Sequence, residues 1–123
     1  VKSRPGQGLF KASVRRVEPA CRVTGVTQIS MLRASHIKPW SASDDVEKID
    51  GFNGLLLSPH VDHLFDKGFI TFEDNGGMAL SPKLDIEILD HWGIPQILNV
   101  GSFTEEQKIY LQYHQEKVFL ESA

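Results

Sequence analysis

The order of structural signals near the middle of the chain constrains its fold more than any other feature. Residues 31–37 have extended character, and this segment stops at Pro39 because the residue before a proline is kept out of the helical region. Asn53 and Gly54 form a turn signal, since both tolerate a positive φ, and residues 55–57 then predict a short buried strand. Two strands joined by a long polar loop are therefore expected.

A helix is predicted directly after the second strand. Ser58 is a suitable N-cap, and Pro59 falls at the first helical position, where its missing N–H is not needed. The helix is expected to run to Lys67 and to end at Gly68, a left-handed cap. The residues that repeat at the spacing of a buried helix face are Val61, Leu64 and Phe65. The predicted unit is strand, loop, strand, helix.

The polar residues of this unit are typical of a chemical site. Three of the chain's five histidines lie in it, at His36, His60 and His63. Asp62 and Asp66 are four residues apart on the predicted helix and share a face, so their carboxylates can converge on one cation. A hairpin carrying His36 and packed against this helix would bring the imidazole towards the carboxylates.

The run from Ala34 to Lys67 resembles the ββα-metal motif of the HNH endonucleases, in the restriction-type and McrA-like branch. Similar residues extend from Gly6 towards the end of the chain. The resemblance implies an α+β fold, with a ββα-metal (His-Me finger) nuclease core, an N-terminal helix, an added β-hairpin and a C-terminal helix. Residues 1–123 are expected to be a single HNH nuclease domain excised from a larger multidomain protein.

The resemblance also implies roles for individual residues. His36 matches the general base, and Asn53 matches the asparagine whose amide pins the hairpin loop, so both are candidate catalytic residues. Asp62 stands at the position of a helix metal ligand and Asp66 at a further ligand position. His63 is an alternative ligand or a phosphate contact.

Two positions depart from the family pattern. Ser35 stands where many members have an Asp or His metal ligand, and a serine is a poor ligand for a hard cation. The family pattern usually has a His or Asn at the position of Asp62, and in this chain His60 and His63 lie on either side of that position. A nuclease remains the leading interpretation, and the alternatives are a DNA-binding module that has lost catalysis and an interaction domain in which the histidines simply pack.

The mechanism implied by the resemblance is hydrolysis of a DNA phosphodiester with neutral His36 as general base and one divalent cation. Carboxylate ligands suit Mg²⁺ or Mn²⁺ better than Zn²⁺. The single cysteine, Cys21, can form neither an internal disulfide nor a Cys-rich zinc site, so no structural zinc is expected. Cys21 is predicted to be a small buried hydrophobe.

The charge distribution is more informative than the net charge of −3. Residues 1–40 carry eight Lys or Arg and one Glu, whereas the remainder carries five basic and fifteen acidic residues. The basic run is either a solvated surface or a strip facing phosphates, because binding to DNA depends on the local field. The candidate DNA-binding residues are Arg15, Arg16, Arg33, Lys38, His60 and Lys67.

The expected partner is DNA. Target choice would come from a fused DNA-reading domain, since the chain shows no recognition helix or zinc finger, and cutting both strands would favour a homodimer. No apolar run approaches the ~20 residues that cross a bilayer, so no membrane association is expected and a cytoplasmic location is predicted.

Further elements are predicted outside the motif. A helix is expected over 9–17, a hairpin over 69–81 with its turn at 74–77, and a helix from the capping box at Thr104 through Phe119. Residues 84–89 are compatible with either a strand or a helix. Of the two remaining histidines, His114 is expected to pack in the core and His91 to lie at the surface or in the core.

Overall fold

The structure is a computed structural model that describes residues 6–121. Lys2 and Arg4, the first residues of the basic run, lie outside the described residues. The helices and strands follow in the order α1 (Gln7–Val17), β1 (Arg33–His36), β2 (Gly54–Leu57), α2 (Pro59–Asp66), β3 (Ile70–Phe72), β4 (Met78–Leu80), α3 (Glu87–His91) and α4 (Glu105–Tyr113).

An antiparallel hairpin of β1 and β2 lies at the centre of the fold. Arg33 pairs with Leu57, and His36 pairs with Gly54. Both α1 and α2 contact both strands. A Cβ atom at Gly54 would collide with Phe10 and with a second α1 side chain, so the glycine allows α1 to approach the hairpin closely. The predicted strand, loop, strand, helix order is confirmed, although β1 begins two residues late because Ile29–Met31 form a 3₁₀ turn.

Helix α2 begins where the sequence predicts and ends one residue earlier than predicted, at Asp66. Pro59 is its first residue, and Gly68 adopts φ 78° just after its C-terminus. The amide of Phe69 donates to the carbonyl of Leu64 at 2.9 Å, which closes the left-handed cap. The side chain of Ser58 makes no cap hydrogen bond and instead pairs with the Thr24 hydroxyl at 2.8 Å.

The C-terminal half supports the central hairpin. Strands β3 and β4 pair antiparallel, as predicted, and the ambiguous segment after them forms the short helix α3. Helix α4 has the predicted capping box between Thr104 and Gln107. The predicted single helix is wrong beyond Tyr113, because residues His114–Val118 continue as a π-helical turn.

The buried core joins the hairpin to the helices on both sides. Its largest fully buried side chains include Phe10, Phe65, Phe72, Ile37, Leu55, Leu56 and Leu111. Cys21 is only 1% exposed and is a free thiol in this core, as predicted. Over residues 6–121, no helix combines the length and apolar character needed to cross a membrane.

His114 is a core residue, as the sequence predicts. Its ring is 1% exposed and stacks on Phe65 with the ring centres 3.8 Å apart. Nε2 lies 2.8 Å from the Phe65 carbonyl, which can only accept, so Nε2 carries the proton and the Thr71 hydroxyl donates to Nδ1 at 2.7 Å. The imidazole is thus held neutral, and burial lowers the pKa of His114 to about 4.

We predict that the fold loses stability as the pH falls because of His114. The unfolded chain protonates this ring near its ordinary pKa of about 6.5, whereas the folded chain does so only near 4. Its contribution is therefore complete above the unfolded pKa and is lost between about pH 6.5 and 4, to a total of about 3 kcal/mol. Urea unfolding of wild type and His114→Gln at several pH values measures this. The variant should lack that part of the pH dependence, whereas His91→Ala, at an exposed site, should retain it.

Candidate active site

The long loop between β1 and β2 is held together by the side chain of Asn53, which is 0% exposed. Its Oδ1 accepts from the backbone amide of Lys38 at 2.8 Å. Its Nδ2 donates to the carbonyl of Glu47 at 3.0 Å and to the hydroxyl of Ser43 at 3.3 Å. One buried amide therefore joins the start of the loop, its middle and its end.

His36 lies at the end of β1 with its ring fixed on two sides. Nε2 is 2.9 Å from the carbonyl of Lys48, and the ring stacks on Phe10 with the centres 3.7 Å apart and the planes 3° apart. Because a carbonyl can only accept, Nε2 of the neutral ring carries the proton and Nδ1 is the basic nitrogen. The pinned loop thus selects the tautomer of the candidate base.

Asp62 lies on α2, half-buried, and the Ser35 side chain on β1 is close enough to influence the pKa of its carboxyl. Burial raises the pKa of Asp62 above the ordinary carboxyl value, and the charge of Asp66 raises it further. Ser35 and the charge of Arg33 act in the opposite direction. The charged form of Asp62 is thus penalised by burial and by a neighbouring carboxylate, a situation that a cation would relieve.

Two neighbouring residues of β1, Ser35 and His36, meet different helices. Successive side chains on a strand point to opposite faces. Ser35 lies close to Asp62 of α2, and His36 stacks on Phe10 of α1. From this alternation we infer that His36 and Asp62 lie on different sides of β1, whereas the sequence predicts that the imidazole and the helix carboxylates face each other.

The remaining candidate metal-binding and DNA-binding residues differ in their exposure and in their contacts. The exposed ones are Asp66, His63, Lys67, Arg33, Arg15 and Arg16. Lys38 forms an ion pair of 3.0 Å with Glu47 inside the loop. His60 meets the ring of Trp92 edge-on, with centres 5.2 Å apart. Within residues 6–121, no group of three or more His, Cys, Asp or Glu side chains is gathered as a ready metal cage.

Two contacts of the site were not identified from the sequence: the Phe10 ring under His36 and the Lys48 carbonyl on Nε2. Helical periodicity does predict that Phe10 points inward, but periodicity does not say which ring it meets. A backbone carbonyl leaves no signal in residue type, so the role of Lys48 is visible only in the folded loop.

The comparison with protein families connects this geometry to a class of enzyme. Residues 21–73 match the HNH endonuclease family. Together with the β1–β2–α2 arrangement, the match shows that this segment is similar to the ββα core of the HNH endonucleases.

A solved structure shares the fold over almost the whole chain. It is described as "Modification dependent TagI restriction endonuclease", and it aligns with a TM-score of 0.54 and 16% sequence identity over 96% of this chain. The aligned part is 39% of that protein's chain, so the present chain spans well under half of its length. No curated protein sequence matches the chain.

We predict that Asn53→Ala strongly destabilises the domain. The substitution removes the amide and leaves the buried carbonyl of Glu47 and the amide of Lys38 without this partner, which should cost about 2–4 kcal/mol of unfolding free energy. Denaturant unfolding measures the loss. Asn75→Ala is the matched control, because Asn75 is exposed and its side chain accepts from the local turn amide of Gly77, and its loss should stay below about 1 kcal/mol. Equal losses in the two variants would contradict the pinning role of Asn53.

Proposed function

We propose that this domain is a DNA endonuclease that hydrolyses phosphodiester bonds with His36 as general base and with one divalent cation. The observation that carries the proposal is the fixed tautomer of His36. Its Nε2–H is held by the Lys48 carbonyl at 2.9 Å, in a loop pinned by Asn53. What distinguishes His36 from the buried packing residue His114 is its place at the end of β1, inside the segment that matches the HNH family, and its partial exposure.

His36 would act through its Nδ1 atom. As a water molecule attacks phosphorus, Nδ1 takes one proton from it, and the positive charge that develops on the ring is stabilised by the Lys48 carbonyl on Nε2–H. The parallel ring of Phe10, 3.7 Å away, restricts rotation of the imidazole. Both contacts hold the base in one orientation before the substrate arrives, which is the condition for efficient proton transfer.

Asp62 and Asp66 are the residues that would hold the cation, with His63 as the alternative ligand. The pair offers carboxylate oxygens on one face of α2, and the partial burial of Asp62 beside the charge of Asp66 favours a cation there. Mg²⁺ commonly binds to one or two carboxylates and takes its other ligands from water and from substrate phosphates, so a three-residue cage is not required. When bound, the cation would supply charge stabilisation for the phosphate and the leaving oxygen.

The substrate must reach residues on both sides of β1. In the described part of the chain, β1 pairs with β2 alone, so its other edge carries no strand. The proposal requires the scissile phosphate to lie along this edge, where Asp62 is on one side and His36 on the other. Exposed Arg33 begins the same strand and would contact the phosphates there.

The domain would serve as the cleavage part of a restriction or defence enzyme. Support comes from the structural neighbour, whose description names a modification-dependent restriction endonuclease and of which this chain matches only 39%. A fused reading domain would select the target, and a homodimer would cut both strands. Arg15 and Arg16, exposed at the end of α1, would extend the contact with the DNA backbone.

We predict that His36→Ala lowers DNA cleavage by about 10²–10⁴-fold, because it removes the general base. Nicking of supercoiled plasmid in Mg²⁺ or Mn²⁺ measures the rate. His91→Ala is the matched control, since His91 is exposed on α3 outside the nuclease core, and it should cleave as the wild type does. Equal nicking by wild type and His36→Ala would reject His36 as the base. Binding of plasmid with no cleavage by the wild type would favour the DNA-binding module that has lost catalysis.

We predict that Mn²⁺ raises the melting temperature of the wild type and that Asp62→Asn abolishes most of this shift. A ligand that binds only the folded state stabilises it by about 2.7 kcal/mol at 100 times its Kd. Differential scanning calorimetry with and without Mn²⁺ measures the effect without relying on activity. Asp90→Asn, on the exposed surface of α3, should respond as the wild type does. A full shift in Asp62→Asn would place the cation elsewhere.

A further inference from the structure

The C-terminal helix contacts the loop that holds the candidate base, although it lies outside the segment that matches the HNH family. The hydroxyl of Tyr110, on α4, donates to Oδ2 of Asp50 at 2.6 Å. Both side chains are half-buried. This is a hydrogen bond to a carboxylate, which is stronger than one between neutral groups, and it joins parts of the chain 60 residues apart.

Asp50 also forms hydrogen bonds to the backbone of residues that precede and follow it in the chain. Its Oδ1 accepts from the amide of Phe52 at 2.9 Å and so caps the short turn that leads to Asn53. Its own amide donates to the carbonyl of Glu47 at 3.3 Å. The peptide that presents the Lys48 carbonyl to His36 lies between these two anchors, so the position of Asp50 limits where that carbonyl can point.

We propose that Tyr110 is a positioning residue for the general base, acting through Asp50 and the Lys48 carbonyl on the His36 imidazole. The inference rests on the proposed nuclease function for its effect on catalysis. Its structural part, the hold on the His36 ring, can be tested without cleavage. Tyr110 itself does not touch the substrate in this account.

The surroundings of Tyr110 keep its hydroxyl protonated, so that it remains a hydrogen-bond donor. Burial raises the pKa of its hydroxyl, and the hydrogen bond and the charge of Asp50 raise it further. The hydroxyl therefore stays protonated at neutral pH. The opposite side of the loop is held by α1, where a Cβ at Gly51 would collide with the backbone of Ser13. Loss of the Tyr110 hydroxyl should therefore loosen the Lys48–Asp50 segment without unfolding the loop.

Tyr110→Phe is the decisive variant, because it removes one oxygen and keeps the ring. We expect kcat for plasmid nicking to fall by about tenfold, as when a catalytic group loses its orientation, with KM changed by less than about twofold. Tyr113→Phe is the matched control on the same helix. Among the described residues its hydroxyl has no hydrogen bond, and its ring, which lies 5.3 Å from the Lys38 ammonium, is retained. It should keep the wild-type kcat.

Two further measurements separate positioning from a general loss of structure. In the Asp50→Ala background, adding Tyr110→Phe should have no further effect on kcat, because the connection is already broken. By NMR, the Nε2 proton of His36 should exchange with water faster in Tyr110→Phe than in Tyr113→Phe, at temperatures where both are fully folded. If the wild type does not cleave DNA, the proposed function fails. The NMR comparison then tests by itself whether Tyr110 helps to hold the His36 ring in place. Unchanged kcat, additive losses in the double variant or equal proton exchange would overturn the proposal.

Discussion

The site depends on one buried amide. Asn53 lies at the end of a loop that leaves the hairpin at β1 and returns at β2, and a loop of this length would otherwise adopt many conformations. Its four polar contacts bind Lys38, Ser43 and Glu47 and bring the loop back against its own start. The fixed loop brings the Lys48 carbonyl to the His36 ring, so the order of the loop determines which ring nitrogen of His36 carries the proton.

The ββα core does not complete this arrangement by itself. Phe10 of α1 lies under the imidazole, and Tyr110 of α4 holds Asp50 next to the carbonyl that fixes it. Both helices lie outside residues 21–73, which match the HNH family. Helices α1 and α4 therefore contact His36 and its surroundings in addition to covering the hairpin. A domain of this size can in this way use the same packing for stability and for the orientation of one side chain.

The sequence predicted the elements better than it predicted their mutual orientation. Pro59, Gly68 and the Thr104–Gln107 pair act through local backbone chemistry, so helix ends could be located from residue type alone. The face on which His36 lies could not be located, because a shift of one residue on a strand reverses every side chain. The influence of Ser35 on the pKa of Asp62 agrees with the packing of α2 against β1.

Ser35 lowers the pKa of Asp62, a carboxyl on α2 whose charged form is penalised by burial. Helix α2 carries two acidic groups, Asp62 and Asp66, and among the described residues no group of three or more metal-ligating side chains is gathered. A cation held by so few protein oxygens needs water and phosphate for the rest of its coordination shell. Binding of metal and of DNA would then be mutually dependent, since each supplies part of what the other requires.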